Sequence, residues 1–338
     1  MTKVVSWDEL NFDTKGATLL LGNGASIAVS DRFNYKSLYE KAQLAKAERA
    51  VFDALSTCDF ERVLRALAET DTVSAALGRR CDTRATLEKV RRALITVVQS
   101  THPEPEKVRD ALSTAAVFSQ RFDTIVSFNY DLLVYWMLMA ANANDQVHRF
   151  KDCFDGNGTF IGNKWSTYRE SLAPYKRTTL VFYAHGAAFL AQTDGSEVKL
   201  SGDAGGLADV IARRWIGGDL PLFVSEGDAD SKLSVIGASD YLRTVFFDVL
   251  PKAVKGRNIV AYGLGFKNND KHIVAALAKA PPKRLAVSVW GASEVDRQNE
   301  VLRIEALLRK QIPETETQID FFDASSAGCW IHPPMTAP

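Results

Sequence analysis

Four clusters along this chain hold residue types that could do chemistry together. The first is Gly22-Asn23-Gly24-Ala25-Ser26, where the apolar run Thr18-Leu19-Leu20-Leu21 stops in a pair of glycines. Glycine can take positive φ or let a ligand approach the backbone, and the N–H groups and positive dipole end of a following helix favour an anion such as phosphate. Ser26 adds a hydroxyl. The same pattern also serves as a plain strand-to-helix turn. The second cluster is Asn129-Tyr130-Asp131, directly after Phe122-Asp123-Thr124-Ile125-Val126-Ser127-Phe128. Its amide and carboxyl could orient a ligand or cap the next helix. The third is His185-Gly186, after Thr178-Thr179-Leu180-Val181-Phe182-Tyr183-Ala184. An imidazole left at a strand end is a candidate acid–base group, although a lone histidine is more often structural. The fourth is Gly263-Leu264-Gly265-Phe266, a second glycine turn, with Asn269 or Asp270 capping the helix behind it. Glu226, in Pro221-Leu222-Phe223-Val224-Ser225-Glu226-Gly227, is either a site carboxylate or a solvated turn residue.

Strands must deliver these groups. The last third alternates regularly: helix 239–250, strand 258–262, helix from 270, strand 285–290, helix 295–310, strand 318–322. That βαβαβ pattern means a parallel sheet. In an open parallel sheet ligands bind at the carboxyl ends of the strands, so Asn129 and Asp131 belong beside the first glycine turn. The expected fold is therefore α/β, a Rossmann-type, mainly parallel sheet in a single domain spanning 1–338. A loop at Phe33-Asn34-Tyr35 leads to a capped helix from Ser37 to about 47, and its aromatics either cover a base or pack against the first helix. An inserted helical layer occupies about 48–120. Phe60, Val63, Leu64 and Leu67 share one face, and Thr101-His102-Pro103-Glu104-Pro105 breaks the run. A loop and hairpin excursion fills about 142–175, residues 201–206 form a small loop, and the tail from 332 frays at the surface.

Composition narrows the function classes. Lys plus Arg and Asp plus Glu both number 41. That balance lacks the charge that drives general binding to nucleic acid or anionic membranes, so partners must be recognised locally. The 46% apolar content supports a proper core. No apolar run approaches the ~20 residues of a membrane span, and the first ten residues carry acid and no apolar signal core. Cys58, Cys81, Cys153 and Cys329 are scattered without a C-x-x-C pair, which argues against a zinc ribbon or a disulfide framework and fits a reducing cytoplasm.

In this order, G-N-G-A-S at 22–26, S-F-N-Y-D at 127–131, A-H-G at 184–186 and Y-G-L-G-F-K-N-N-D at 262–270 resemble the bacterial sirtuin-like family. D-F-E-R-V-L-R-A-L and P-L-F-V-S-E-G make the chain look more narrowly like a prokaryotic branch long catalogued as a domain of unknown function. The resemblance covers about 18–325 and implies a sirtuin-like sheet and hydrolysis of NAD to nicotinamide and ADP-ribose in antiviral defence, by depleting the infected cell's cofactor. By the same resemblance Gly22, Asn23, Gly24, Ala25 and Ser26 lie against the pyrophosphate. Asn129 touches the nicotinamide-side ribose or positions water, Asp131 lies near the carboxamide, and His185 is the active-site histidine. Gly263 and Gly265 form the ribose-proximal turn, Gly265 standing where many relatives carry serine. NAD is then the substrate and no metal is required. Further copies of the chain or a protein encoded nearby would regulate the activity. The four-cysteine zinc module of the protein-deacylating sirtuins is absent, which disfavours deacylation. The competing readings are a non-catalytic sensor of NAD or ADP-ribose and an NAD-dependent ADP-ribosyltransferase or deacylase.

Overall fold

A computed structural model describes residues 3–34, 37–79, 83–171, 173–202, 206–224 and 228–335. Glu226, Tyr35, Cys81 and part of the 201–206 loop lie outside the described residues.

Among the described residues eleven strands form in chain order: β1 (Val4–Val5), β2 (Thr18–Leu21), β3 (Thr124–Ser127), β4 (His148–Lys151), β5 (Arg177–Tyr183), β6 (Gly186–Thr193), β7 (Ser196–Lys199), β8 (Leu220–Phe223), β9 (Asn258–Tyr262), β10 (Arg284–Val289) and β11 (Gln318–Asp323). Eight build one sheet in the order β1-β11-β10-β9-β2-β3-β5-β4, and every pairing in it is parallel. This is the expected Rossmann-like α/β fold. β2 and β3 are buried at all four of their residues, as a sheet covered by helices on both faces demands. Burying each of Leu19, Leu20 and Leu21 contributes roughly 1.5–3 kcal/mol. The chain leaves β2 toward β3 on one side and later returns through β9 on the other, so the strand order reverses at β2. Ligand crevices form at such reversals.

The stretch between the first glycine turn and β3 is helical. It comprises Lys46–Ala54, Phe60–Ala76, Thr83–Thr101 and Arg109–Ser119, with a break after His102 where the prolines stand. Phe60, Val63, Leu64 and Leu67 are buried together on one face. The helix expected from Ser37 to 47 is instead two pieces. Ser37 caps a single turn, Leu38–Lys41, by accepting the Glu40 N–H, and the chain turns out at Ala42 before Lys46–Ala54 begins.

Two other expectations are corrected. The excursion at 142–175 contains β4, a parallel edge strand on β5, because His148 and Phe150 alternate inward along it. The antiparallel contact Phe154–Phe160 is the expected hairpin. Gly186 does not simply turn the chain away. It opens β6 of a second, antiparallel sheet, β7-β6-β8, into which the strand read at Pro221 also goes. Just before the expected surface tail the chain is pinned: Gly328 N–H donates to the Pro333 carbonyl, Cys329 and Trp330 are buried, and Trp330 Nε1 donates to the Ala25 carbonyl at 2.9 Å. No helix among the described residues is long and apolar enough to cross a membrane.

Candidate functional site

At the carboxyl end of β2 the helix Asn23–Val29 begins with no intervening turn. Gly22 lies at φ −110° and ψ −179°, extended backbone open to any residue, and Gly24 sits inside the helix, so neither needs positive φ. Their small size serves another purpose. A Cβ on Gly22 would come 2.6 Å from the Gly263 carbonyl oxygen, and one on Gly24 would come 2.7 Å from Gly263 Cα. Gly263 does take positive φ, +69°, and a Cβ there would lie 2.2 Å from the Ala25 nitrogen. The two glycine turns, at the ends of neighbouring strands β2 and β9, are therefore pressed backbone to backbone. Gly24 N–H donates to the Gly263 carbonyl at 2.9 Å and Gly263 N–H to Ser288 Oγ at 2.9 Å. Gly265 is different: the nearest atoms to a Cβ there are Lys267 side-chain carbons at 3.6 and 3.7 Å. Arg303 holds that loop by donating to the Gly265 and Phe266 carbonyls. A Gly24→Val change would thus overlap the Gly263 backbone before it met any ligand.

Ser26, Asn129 and Asp131 meet as expected from their strand-end positions, but they spend their hydrogen bonds on one another. Asn129 Nδ2 donates to the Gly22 carbonyl and to Ser26 Oγ, both at 2.9 Å. A carbonyl only accepts, so this contact fixes which end of the amide is nitrogen. Ser26 Oγ in turn donates to Asp131 Oδ2 at 2.5 Å, and Asp131 Oδ1 accepts the Leu133 N–H at 2.9 Å. Asp131 therefore accepts a backbone N–H at the start of the helix Leu133–Asn144, and its side chain is buried. Burial raises its carboxyl above the usual range, while His102 and the Ser26 and Leu133 hydrogen bonds pull it back. Asn129 keeps Oδ1 as its one side-chain atom without a hydrogen bond to a described residue, so it presents an acceptor where a donor was expected.

His102, read from the sequence only as part of a helix breaker, completes this network. Its Nδ1 lies 2.7 Å from the Val98 carbonyl and its Nε2 accepts the Leu132 N–H at 3.1 Å. That arrangement needs one ring hydrogen, on Nδ1, and burial accordingly lowers the imidazole's basicity.

His185 follows β5, beside Phe128, whose ring meets it edge-on at 5.0 Å. Val224 N–H donates to the His185 carbonyl at 2.7 Å, fastening the point where the chain passes from the large sheet to the small one. The His185 side chain is buried and has a partner absent from the sequence reading. His272, in the first turn of the helix Lys271–Lys279, puts its Nε2 2.8 Å from His185 Nε2. Lys232, buried on the helix Ala229–Ala238, and Asp270 stand nearby, ammonium to carboxylate 3.9 Å. Burial first, then the Lys232 charge, lowers both imidazoles, His185 well below its usual value and His272 to about 4. The signal that could have found His272 is a histidine opening the apolar run His272-Ile273-Val274-Ala275-Ala276-Leu277, since residues 272–274 face the interior together. Among the described residues no group of three or more His, Cys, Asp and Glu side chains could hold a metal ion.

The fold and this site define a Rossmann-like α/β protein, with a parallel main sheet, whose candidate groups gather at the carboxyl ends of β2, β3, β5 and β9. The chain belongs to the family described as domain of unknown function DUF4917, whose model matches residues 19–330. No curated protein matches it.

Proposed function

We propose that this protein hydrolyses NAD to nicotinamide and ADP-ribose, acting in prokaryotic antiviral defence. The observation that carries the reading is the convergence of Gly22, Asn129, His185 and Gly263 at the carboxyl ends of four adjacent parallel strands, flanking the point where the strand order reverses. The defence role rests on the family resemblance alone.

Cleaving the bond between nicotinamide and C1′ of the ribose leaves an oxocarbenium-like sugar as neutral nicotinamide departs. A protein assists by holding the ribose, excluding water and aiming one water at C1′. Asn129 Oδ1, held in place by the two hydrogen bonds its own nitrogen donates, suits accepting a hydrogen from a ribose hydroxyl or from that water. A buried, neutral imidazole suits taking the proton the water loses.

One observation favours the sensor reading. Gly24 N–H, Ser26 Oγ and both hydrogens of the Asn129 amide are already engaged within the protein, as in a crevice that binds and holds its shape without chemistry. Incubating the purified protein with NAD and separating the products by chromatography decides between the readings. Free nicotinamide and ADP-ribose in equal amounts, cut about a hundredfold in His185→Ala, is the expected result. Tight binding without turnover supports the sensor, a modified macromolecule supports a transferase, and neither binding nor turnover overturns all of them.

A further inference from the structure

His185 and His272 are each almost fully buried, at 4% and 3% exposure. Their ring planes differ by 18° and their centroids lie 5.0 Å apart, while the two Nε2 atoms are 2.8 Å apart. The centroid separation is about the nitrogen–nitrogen distance plus two ring radii, so the rings lie end to end in one plane, joined by a hydrogen bond and not stacked. Such a bond needs a hydrogen on one Nε2 and a lone pair on the other.

The Phe128 backbone raises the basicity of His185 by hydrogen bonding. The two rings together have three positions for a hydrogen: His185 Nδ1, the shared Nε2–Nε2 position, and His272 Nδ1. Two neutral imidazoles carry only two. His272 Nδ1 is buried with no hydrogen-bond partner among the described residues, which makes it the position left empty.

We propose that His185 and His272 are a single base, a two-ring unit one hydrogen short of saturation that takes up one proton and shares the charge across the Nε2–Nε2 bond. The catalytic part of this proposal rests on the NAD hydrolysis reading. As the water attacks C1′, its O–H bond breaks, the oxygen joins C1′, and the released proton forms the third ring N–H of the pair. Nicotinamide leaves neutral, and the pair returns its proton to solvent before the next turnover. The charged groups facing the pair are the Lys232 ammonium and, beyond it, the Asp270 carboxylate. Burial and Lys232 keep the pair empty at neutral pH. Phe246, its ring 5.6 Å from His272 and inclined by 21°, and Phe128 wall it in.

The experiment has two arms on the full chain. Nitrogen-15 imidazole spectra, assigned with His185→Gln and His272→Gln, read the protonation pattern without any substrate. The expected result is hydrogen on His185 Nδ1 and on one Nε2 at neutral pH, with both rings shifting together on acidification as one proton enters. Two rings titrating independently, or a hydrogen found on His272 Nδ1 at neutral pH, would overturn the shared base. In the second arm His272→Gln keeps a donor for His185 Nε2 but cannot accept a proton. NAD cleavage should fall about a hundredfold with KM unchanged, and the acid limb of the pH–rate profile should disappear. Activity within about threefold of wild type, when His185→Ala is inactive, would assign the base to His185 alone and overturn the proposal. If the wild-type protein fails to cleave NAD, the hydrolysis reading falls, and the spectra still decide whether the pair exists.

Discussion

The two halves of the candidate site treat their hydrogen bonds differently. Around β2 and β3, Gly22, Gly24, Ser26, Asn129, Asp131 and His102 pair donor with acceptor until almost nothing is left over. Around β5 and β9, His185 and His272 have three places for a hydrogen and two hydrogens to fill them. A saturated network holds geometry, because each member costs stability if its partner is removed. An unsaturated one has somewhere to put a proton. The residues that most resemble a ligand cradle by sequence thus form a saturated frame, and the unsaturated pair lies beside them.

The sharpest break of the saturated half is Gly263→Ala. A methyl group there meets the Ala25 nitrogen at 2.2 Å and must keep φ at +69°. Backbone cannot yield as a flexible side chain does, so the protein should be insoluble or melt lower by more than about 10 °C, taking about 2–4 °C per kcal/mol. Gly265→Ser, whose Cβ meets only Lys267 side-chain carbons at ordinary contact distance, should melt within about 2 °C of wild type. Equal losses in the two variants would show that the turns are not pressed together.

Asp131→Ala comes next. It strands Ser26 Oγ and the Leu133 N–H in the interior and should cost about 3 kcal/mol by chemical denaturation, whereas Asp131→Asn, which retains an acceptor for Leu133, should cost less. A smaller loss, about 2 kcal/mol, is expected for Asn129→Asp, because two donated hydrogen bonds disappear and a carboxylate faces the Gly22 carbonyl. Were Asn129 only an exposed cap, that variant would melt like wild type, since aspartate caps helices equally well.

The smallest effect is a pH slope in the unsaturated half. Folding holds His272 at about 4 against an ordinary 6.5, so across that window the unfolded chain takes up the proton and the folded chain does not. The stability this contributes is present above 6.5 and is lost as the pH falls toward 4. Asp59, raised by burial to about 6, acts in the opposite sense over part of the same range, so the comparison must be made between variants. The fall in melting temperature from pH 7 to 4 should be shallower in His272→Gln than in wild type. Parallel slopes would mean that His272 is not held neutral.

Much of this arrangement can be read from the chain itself. Glycine pairs and polar groups at the ends of apolar runs mark the carboxyl edge of a parallel sheet, and the regular alternation after residue 258 leaves one topology for that half. The small sheet escapes such a reading because Gly186-Ala187-Ala188-Phe189-Leu190-Ala191 is apolar without alternation, being buried on both sides. β4 escapes because His148 and Arg149 resemble surface residues until their alternation against β5 is seen. The close approach of the two glycines at β2's exit to Gly263 is not legible in the sequence for a physical reason: sequence shows that a residue is small, but not whether a ligand or another backbone needs the room. His272 was hidden by distance along the chain, since only the packing of two helices and a strand end brings it to His185.

The bond from Trp330 to the Ala25 carbonyl bears on how the protein is made. Ribosomes build chains from the amino end, so the helix carrying Ser26 acquires this partner only after the chain has grown 305 residues beyond Ala25. β1 likewise waits for β11 before it can pair. A nascent chain halted at residue 320 already contains Gly22, Asn129, His185 and Gly263, yet its first turn lacks the indole that closes it. Closure of that turn therefore waits until residue 330 has been synthesised, and fragments arrested earlier are made without it.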